Sequence, residues 1–132
     1  MPKILVVEDN EDNRDALTRR LQRRGFAVVT AADGVAGVKA AQDERPDLIL
    51  MDVNMPELDG WEATRQIHET GGLEQLPVIA LTAHAMGGDR ERAIEAGCID
   101  YHAKPVEFSR LIEQIEQALR HAISPCDEPA NE

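Results

Sequence analysis

Short aliphatic runs recur along the chain, each ending in polar or charged residues and each followed by a segment with helical spacing. Lys3 to Val7 is nearly continuous in apolar residues, the pattern of a strand covered on both faces, and acids follow it at once. From Glu11 to Arg24 the acids Glu11, Asp12 and Asp15 open a segment that Arg19, Arg20, Arg23 and Arg24 close. That order complements a helix dipole, and Gly25 supplies the stop. Leu17 and Leu21 mark the buried side of this helix. Phe26 to Thr30 reads as a second strand, Asp33 as the N-cap of a helix reaching Glu44, and Pro46 as its terminator. Asp47 to Met51 is a third strand.

The stretch Met55-Pro56-Glu57-Leu58-Asp59-Gly60 is a turn-rich loop ahead of a helix from Trp61 to Glu69, which Gly71-Gly72 breaks. Val78 to Leu81 gives a fourth strand. Gly87-Gly88 precedes a charged helix from Asp89 to Ala96, Gly97 stops it, and Ile99 to Ala103 is a short fifth strand. In the last helix Phe108, Leu111, Ile112, Ile115 and Leu119 follow the three-and-four spacing of one apolar face. Strands alternating with crossovers long enough only for helices predict an α/β fold. The expected architecture is a doubly wound (βα)5 unit, a five-stranded parallel sheet of flavodoxin-like order 2-1-3-4-5 between two helical layers. Residues 1–122 form the expected domain, and 123–132, with Pro125 and Pro129, a flexible tail.

Composition narrows the function. The chain's 132 residues suit one domain, and 42% apolar with 30% charged residues is globular rather than disordered or membrane composition. A formal charge of -11 disfavours nucleic acid and anionic membranes and favours basic partners or bound cations. Cys98 lies in an apolar stretch and Cys126 in the tail, too few thiols for a disulfide framework, so a reducing compartment is expected. Met1 leads directly into a strand pattern with no leader-like segment, and no run approaches the ~20 apolar residues of a membrane span. The expected location is cytoplasmic.

In a doubly wound sheet, ligands bind beyond the carboxyl ends of the strands, where Glu8, Asp9, Asp52, Thr82 and Lys104 all fall. Taken singly, each has a commoner fate: an acid as a solvated cap, a lysine on the surface, a threonine in a turn. Convergence of all five on one rim points instead to phosphate chemistry. Three converging acids repel one another unless a cation sits among them, and Mg2+ suits a site of one or two carboxylates that keeps room for phosphate oxygens. Asp52 follows an aliphatic strand and precedes a tight loop, so its carboxylate is held in place and is the expected nucleophile toward a phosphoryl group. Lys104 offers a point charge to the phosphoryl oxygens and Thr82 a hydroxyl donor.

These residues resemble the receiver domain of two-component response regulators over positions 3 to 122. The resemblance rests on Glu8-Asp9-Asn10, on Met51-Asp52-Val53-Asn54-Met55-Pro56 continuing to Asp59-Gly60, on Leu81-Thr82-Ala83, and on Lys104-Pro105. It implies that Asp52 is the phosphoacceptor and that Glu8 and Asp9 belong to the Mg2+ site, with the Asn54 backbone carbonyl as a further ligand. It further implies that Thr82 and Lys104 contact the phosphoryl group and that the Lys104-Pro105 peptide is cis. Tyr101 occupies the switch aromatic position and is expected to move with Thr82, remodelling the face made by the fourth helix, fifth strand and fifth helix. Asn54 and His84, two positions after Asp52 and Thr82, are where family members tune the lifetime of the acyl phosphate. Such a domain signals rather than acting as an enzyme, catalysing only its own phosphotransfer and dephosphorylation.

The start at Met1 and the short tail suggest a stand-alone receiver fed by a sensor histidine kinase or a histidine phosphotransfer protein. It would hand its signal to a downstream protein target, without direct nucleic-acid or membrane binding, as a monomer or weak dimer. Thr82-Ala83-His84-Ala85-Met86, with Gly87-Gly88-Asp89, resembles both stand-alone cell-cycle-type receivers and the receivers of hybrid histidine kinases, from which such a domain could be excised. A phosphorylation-independent interaction module is a further alternative, opposed by the full set of rim residues. A flavodoxin-like carrier needs a Gly/Ser/Thr-rich cradle where Glu8 and Asp9 stand, and carboxylates there repel a cofactor phosphate. A haloacid-dehalogenase-like phosphatase needs a second acid where Asn54 stands.

Overall fold

The computed structural model describes residues 2–53, 59–82 and 89–123. Along the chain run β1 (Lys3–Val7), α1 (Glu11–Arg23), β2 (Ala27–Ala31), α2 (Gly34–Glu44) and β3 (Leu48–Asp52). There follow α3 (Gly60–His68), β4 (Val78–Thr82), α4 (Asp89–Ala96), β5 (Asp100–Ala103) and α5 (Phe108–Ile123). The strands form one parallel sheet in the order β2-β1-β3-β4-β5, the expected doubly wound α/β arrangement.

The alternation of side chains along each strand divides the core in two. Ile4, Val6, Leu48 and Leu50 point toward α1 and α5, where Leu17, Leu21, Leu111 and Ile115 meet them. Leu5, Val7, Ile49 and Met51 point the other way, toward Ala41 of α2, Ile67 of α3 and Ala93 of α4. Because both faces are covered, β3 and β4 are buried at every position, which explains why they read as unbroken aliphatic runs. Among the described residues, no helix is long and apolar enough to cross a membrane.

Helix ends follow local chemistry. Asn10, Asp33 and Asp59 cap α1, α2 and α3, their side chains accepting from the backbone N–H of Asn13, Ala36 and Glu62. Gly25 and Gly97, the expected stops, have φ of 94° and 105°, where a side chain is strained. Arg45 takes a left-handed φ of 48° ahead of Pro46 and closes α2 through its N–H to Ala41 O. A proline disfavours the right-handed helical conformation in the residue before it.

Three strands begin one residue later than the aliphatic pattern predicts. Phe26 belongs to the end of α1 rather than to β2: its N–H closes onto Leu21 O and its ring is buried beside α1 and α5. Asp47 precedes β3 and binds the Lys3 backbone N–H through Oδ2, while Asp52 pairs with Leu81 as the strand's last residue. Ile99 precedes β5 and is 54% exposed. The β3 shift bears on function, because it locks the backbone of Asp52 into the sheet.

The first turn of α3 lies almost against that strand end. A Cβ added to Gly60 would stand 2.6 Å from Val53 Cα and 2.7 Å from Asp52 O, closer than real contacts allow. Gly60→Ala is therefore expected to destabilise the fold by about 1–3 kcal/mol in urea unfolding. Gly71→Ala, whose added Cβ meets no atom within 4 Å, should stay within about 0.5 kcal/mol of the parent. Equal losses at the two positions would refute the close approach as the cause.

Candidate functional site

The rim beyond the strand ends gathers all five residues expected from the sequence that lie in the described segments. Glu8 leaves β1 with its N–H donating to Ala31 O at 3.0 Å, and its carbonyl accepts from Arg14 Nη1 at 2.9 Å. Its Oε2 accepts from the Asn10 N–H at 3.2 Å, so Glu8 is fixed by backbone on both sides and by the turn into α1. Asp52 and Thr82 are the last residues of β3 and β4, and Lys104 follows β5 with its N–H donating to Thr82 O at 2.7 Å. The Lys104-Pro105 peptide is cis, as expected.

One carboxylate oxygen from each of Glu8, Asp9 and Asp52 lies within 4.8 Å of the others, close enough to hold one divalent cation. Glu8 and Asp52 are each 1% exposed, whereas Asp9 is open to solvent. Lys104 Nζ stands between the two buried acids, 3.2 Å from Asp52 Oδ2 and 3.4 Å from Glu8 Oε1. Burial raises the Glu8 carboxyl above its usual range, and the neighbouring Asp52 charge raises it further. The Asn10 N–H and Lys104 pull the other way without cancelling the effect. The site is thus short of positive charge, and a divalent cation or the proton on a carboxyl relieves it.

A groove of about 540 Å3 opens from this rim. Glu8 and Lys104 stand at one end, and Leu17, Pro105, Val106 and Phe108 give it an apolar wall. Arg20 lies 5.4 Å over the Phe108 ring at its edge.

Tyr101, in the middle of β5, is partly buried and packs against the core on the α2–α4 side of the sheet. Asn54 and His84 lie outside the described residues. Cys98 is remote from the rim: it is buried with its Sγ 4.0 Å from Thr64 Oγ1, and burial pushes its thiol up to about 11. Sequence reasoning did not single out Arg14, whose bond to the Glu8 carbonyl has no motif to betray it. It also passed over the capping role of Asn10, although an Asn ahead of an acidic helical turn is a readable N-cap signal. His102 and Gln114, buried between β5 and α5, were likewise not anticipated as partners.

In metal-free protein, a carboxyl whose folded pKa is raised binds more protons folded than unfolded. Glu8 therefore makes stability fall as pH rises from the unfolded glutamate range through its raised folded value. Glu8→Gln is expected to flatten that slope and raise Tm near pH 7 in the presence of chelator. Thermal scans across pH check this, and an unchanged slope would contradict the electrostatic assignment.

The profile of the response regulator receiver domain family matches residues 4–116. The chain is 40% identical over 123 residues to the polar-differentiation response regulator DivK of Brucella anthropi, covering 92% of this chain and 100% of that one. It also resembles the receiver domain of sensor histidine kinase PA1611 from Pseudomonas aeruginosa PAO1, a structure with a magnesium ion coordinated in its active site cleft. That match has 41% identity and a TM-score of 0.83, over 89% of this chain and 97% of the other. A CheY-like receiver domain protein of Methanospirillum hungatei JF-1 superposes with a TM-score of 0.88 at 26% identity, over 95% of this chain and 98% of that one. With its strand order, its acidic rim and a family match spanning most of its length, the chain belongs to the response regulator receiver domains of two-component signalling.

Proposed function

We propose that the chain takes a phosphoryl group from a phosphohistidine onto Asp52 and thereby changes a protein-binding face. The observation that carries this reading is the convergence of Lys104 Nζ on Asp52 and Glu8, at 3.2 and 3.4 Å, beside carboxylates spaced to share a cation. Such a carboxylate is held by its strand, desolvated and paired with a cation that can change partners. Glu8, Asp9 and Asp52 would hold Mg2+, joined by the Asn54 carbonyl. Bound there, Mg2+ supplies the positive charge that lets an anionic phosphoryl group approach an anionic nucleophile.

The transfer balances simply. An Asp52 carboxylate oxygen forms a bond to phosphorus as the phosphorus–nitrogen bond of the donor breaks, and the electron pair stays with the departing imidazole. Lys104 follows the charge, exchanging the Asp52 carboxylate for the phosphoryl oxygens, and the Thr82 hydroxyl donates to another. The donor would be a sensor histidine kinase or histidine phosphotransfer protein, and the apolar-walled groove bounded by Glu8 and Lys104 offers it a contact surface beside the site. Asn54 and His84 set how readily water attacks the product.

Movement of Thr82 toward the phosphoryl group lets Tyr101 turn inward, and the surface over α4, β5 and α5 changes with it. That surface already presents apolar side chains to solvent, with Ile94 62% and Ile99 54% exposed, as a docking face for a downstream protein would. In this reading the domain acts as a cytoplasmic switch, stand-alone in its signalling, and its only catalysis is on itself.

Incubation with Mg2+ and a small acyl-phosphate or phosphoramidate donor should add one phosphoryl group, seen by intact mass, and change Trp61 fluorescence. Asp52→Asn should abolish the added mass, and chelation of Mg2+ should prevent labelling of the parent. Persistence of the adduct in Asp52→Asn would overturn the assignment. Target binding unaffected by either change would favour the phosphorylation-independent module instead.

A further inference from the structure

Beneath the rim, a chain of buried and half-buried hydrogen bonds joins the loop that carries Lys104 to α5. Residues 104–107 are tied at the start by the Lys104 N–H to Thr82 O at 2.7 Å and at the end by the Glu107 N–H to His102 Nε2 at 3.0 Å. A backbone N–H can only donate, so Nε2 of His102 carries the lone pair and the ring proton lies on Nδ1. Nδ1–H then donates to Gln114 Oε1 at 2.7 Å. The Gln114 amide nitrogen in turn donates to Asp100 Oδ2 at 2.8 Å and to Tyr101 O at 2.9 Å. His102 is 2% exposed and Gln114 9%, so the bond between them is made away from bulk water, while the bonds that flank it are half-buried.

This arrangement is out of place for packing alone. His102 is buried in the middle of a strand, where the only other buried polar strand residues described are the rim residues Asp52 and Thr82 at strand ends, and Gln114 interrupts the apolar stripe of α5 between Leu111 and Ile115. An aliphatic pair would fill the same space without any polar group to satisfy. What the polar pair adds is an acceptor for the Glu107 N–H, and so a fixed end for the short loop that bears Lys104.

We propose that His102, oriented by Gln114, is a positioning residue for Lys104: it anchors the far end of the 104–107 loop so that the ammonium stands where the phosphoryl oxygens arrive. The same Gln114 side chain holds the Tyr101 carbonyl, which links the loop, the switch strand and α5 in one hydrogen-bonded unit. The inference rests on the phosphotransfer reading above and adds a residue to it that touches neither phosphate nor metal. A misplacement of an ångström or less at a reacting group is enough to slow a transfer severalfold or more.

The test compares initial rates of phosphorylation by a small phosphoramidate at saturating Mg2+ for the parent, His102→Leu and His102→Gln, each also combined with Lys104→Ala. Leucine fills the strand site but offers the Glu107 N–H no acceptor, whereas the glutamine Oε1 reaches the place of Nε2 and can accept from it. His102→Leu should slow labelling severalfold with Mg2+ affinity unchanged, His102→Gln should recover much of the rate, and neither should slow the Lys104→Ala protein further. A residue important only for folding would lower Tm without that dependence on Lys104. A parental rate in folded His102→Leu, or equal slowing with and without Lys104, overturns the proposal. Should His102→Leu not fold, nitrogen NMR of the parent imidazole decides: a proton on Nδ1 and a bare Nε2 support it, and the opposite tautomer overturns it. Absence of any labelling of the parent would instead sink the phosphotransfer reading itself, and this inference with it.

Discussion

Two carboxylates, Glu8 and Asp52, are buried side by side at the carboxyl end of a parallel sheet, and the rest of the site answers to their repulsion. The sheet imposes it. Parallel pairing in register aligns β1 and β3 so that Val7 sits opposite Met51, and the next residue of each strand is an acid. Neither can retreat into solvent, because the backbone of Asp52 is paired to β4 and Glu8 is bonded to β2, α1 and the Asn10 turn. Buried like charges raise the energy of the folded state unless a cation meets them. Lys104 supplies one positive charge from the far edge of the sheet, and the third acid, Asp9, completes a set that a divalent cation can share.

The consequence is a site poised for exchange. Lys104 holds both acids but is not committed to either, since its distances to them differ by little. In the proposed transfer, a phosphoryl group arriving at Asp52 would bring new anionic oxygens to which the lysine can turn. The loop that carries it continues into α5, and the hydrogen bonds of His102 and Gln114 make that loop part of the β5–α5 layer. On the proposed reading, chemistry at the rim would reach the surface where Ile99 is exposed through this layer.

The fold was legible in the sequence because strands covered on both faces leave long aliphatic runs, and β3 and β4 are such strands. The rim was legible for a related reason: functional residues of this architecture lie where each run stops. One-residue errors arose where an apolar side chain serves another element, as Phe26 does in closing α1. Asp52 looked like a loop residue because an acid ends an apolar pattern, although its backbone belongs to the strand. The His102–Gln114 pair escaped because hydrogen bonding between a strand and the following helix has no periodic signature. A trace was present nonetheless, in a glutamine within the apolar stripe of the last helix.

A structure of the protein with Mg2+ and beryllium trifluoride, which mimics a phosphoryl group on a carboxylate, tests the central claim most directly. The account predicts the trifluoride on an Asp52 carboxylate oxygen, the cation among Glu8, Asp9 and Asp52, and Lys104 Nζ moved from the Asp52 carboxylate to a fluorine. A trifluoride bound elsewhere, or Lys104 still paired with Asp52 beside a bound adduct, would contradict it.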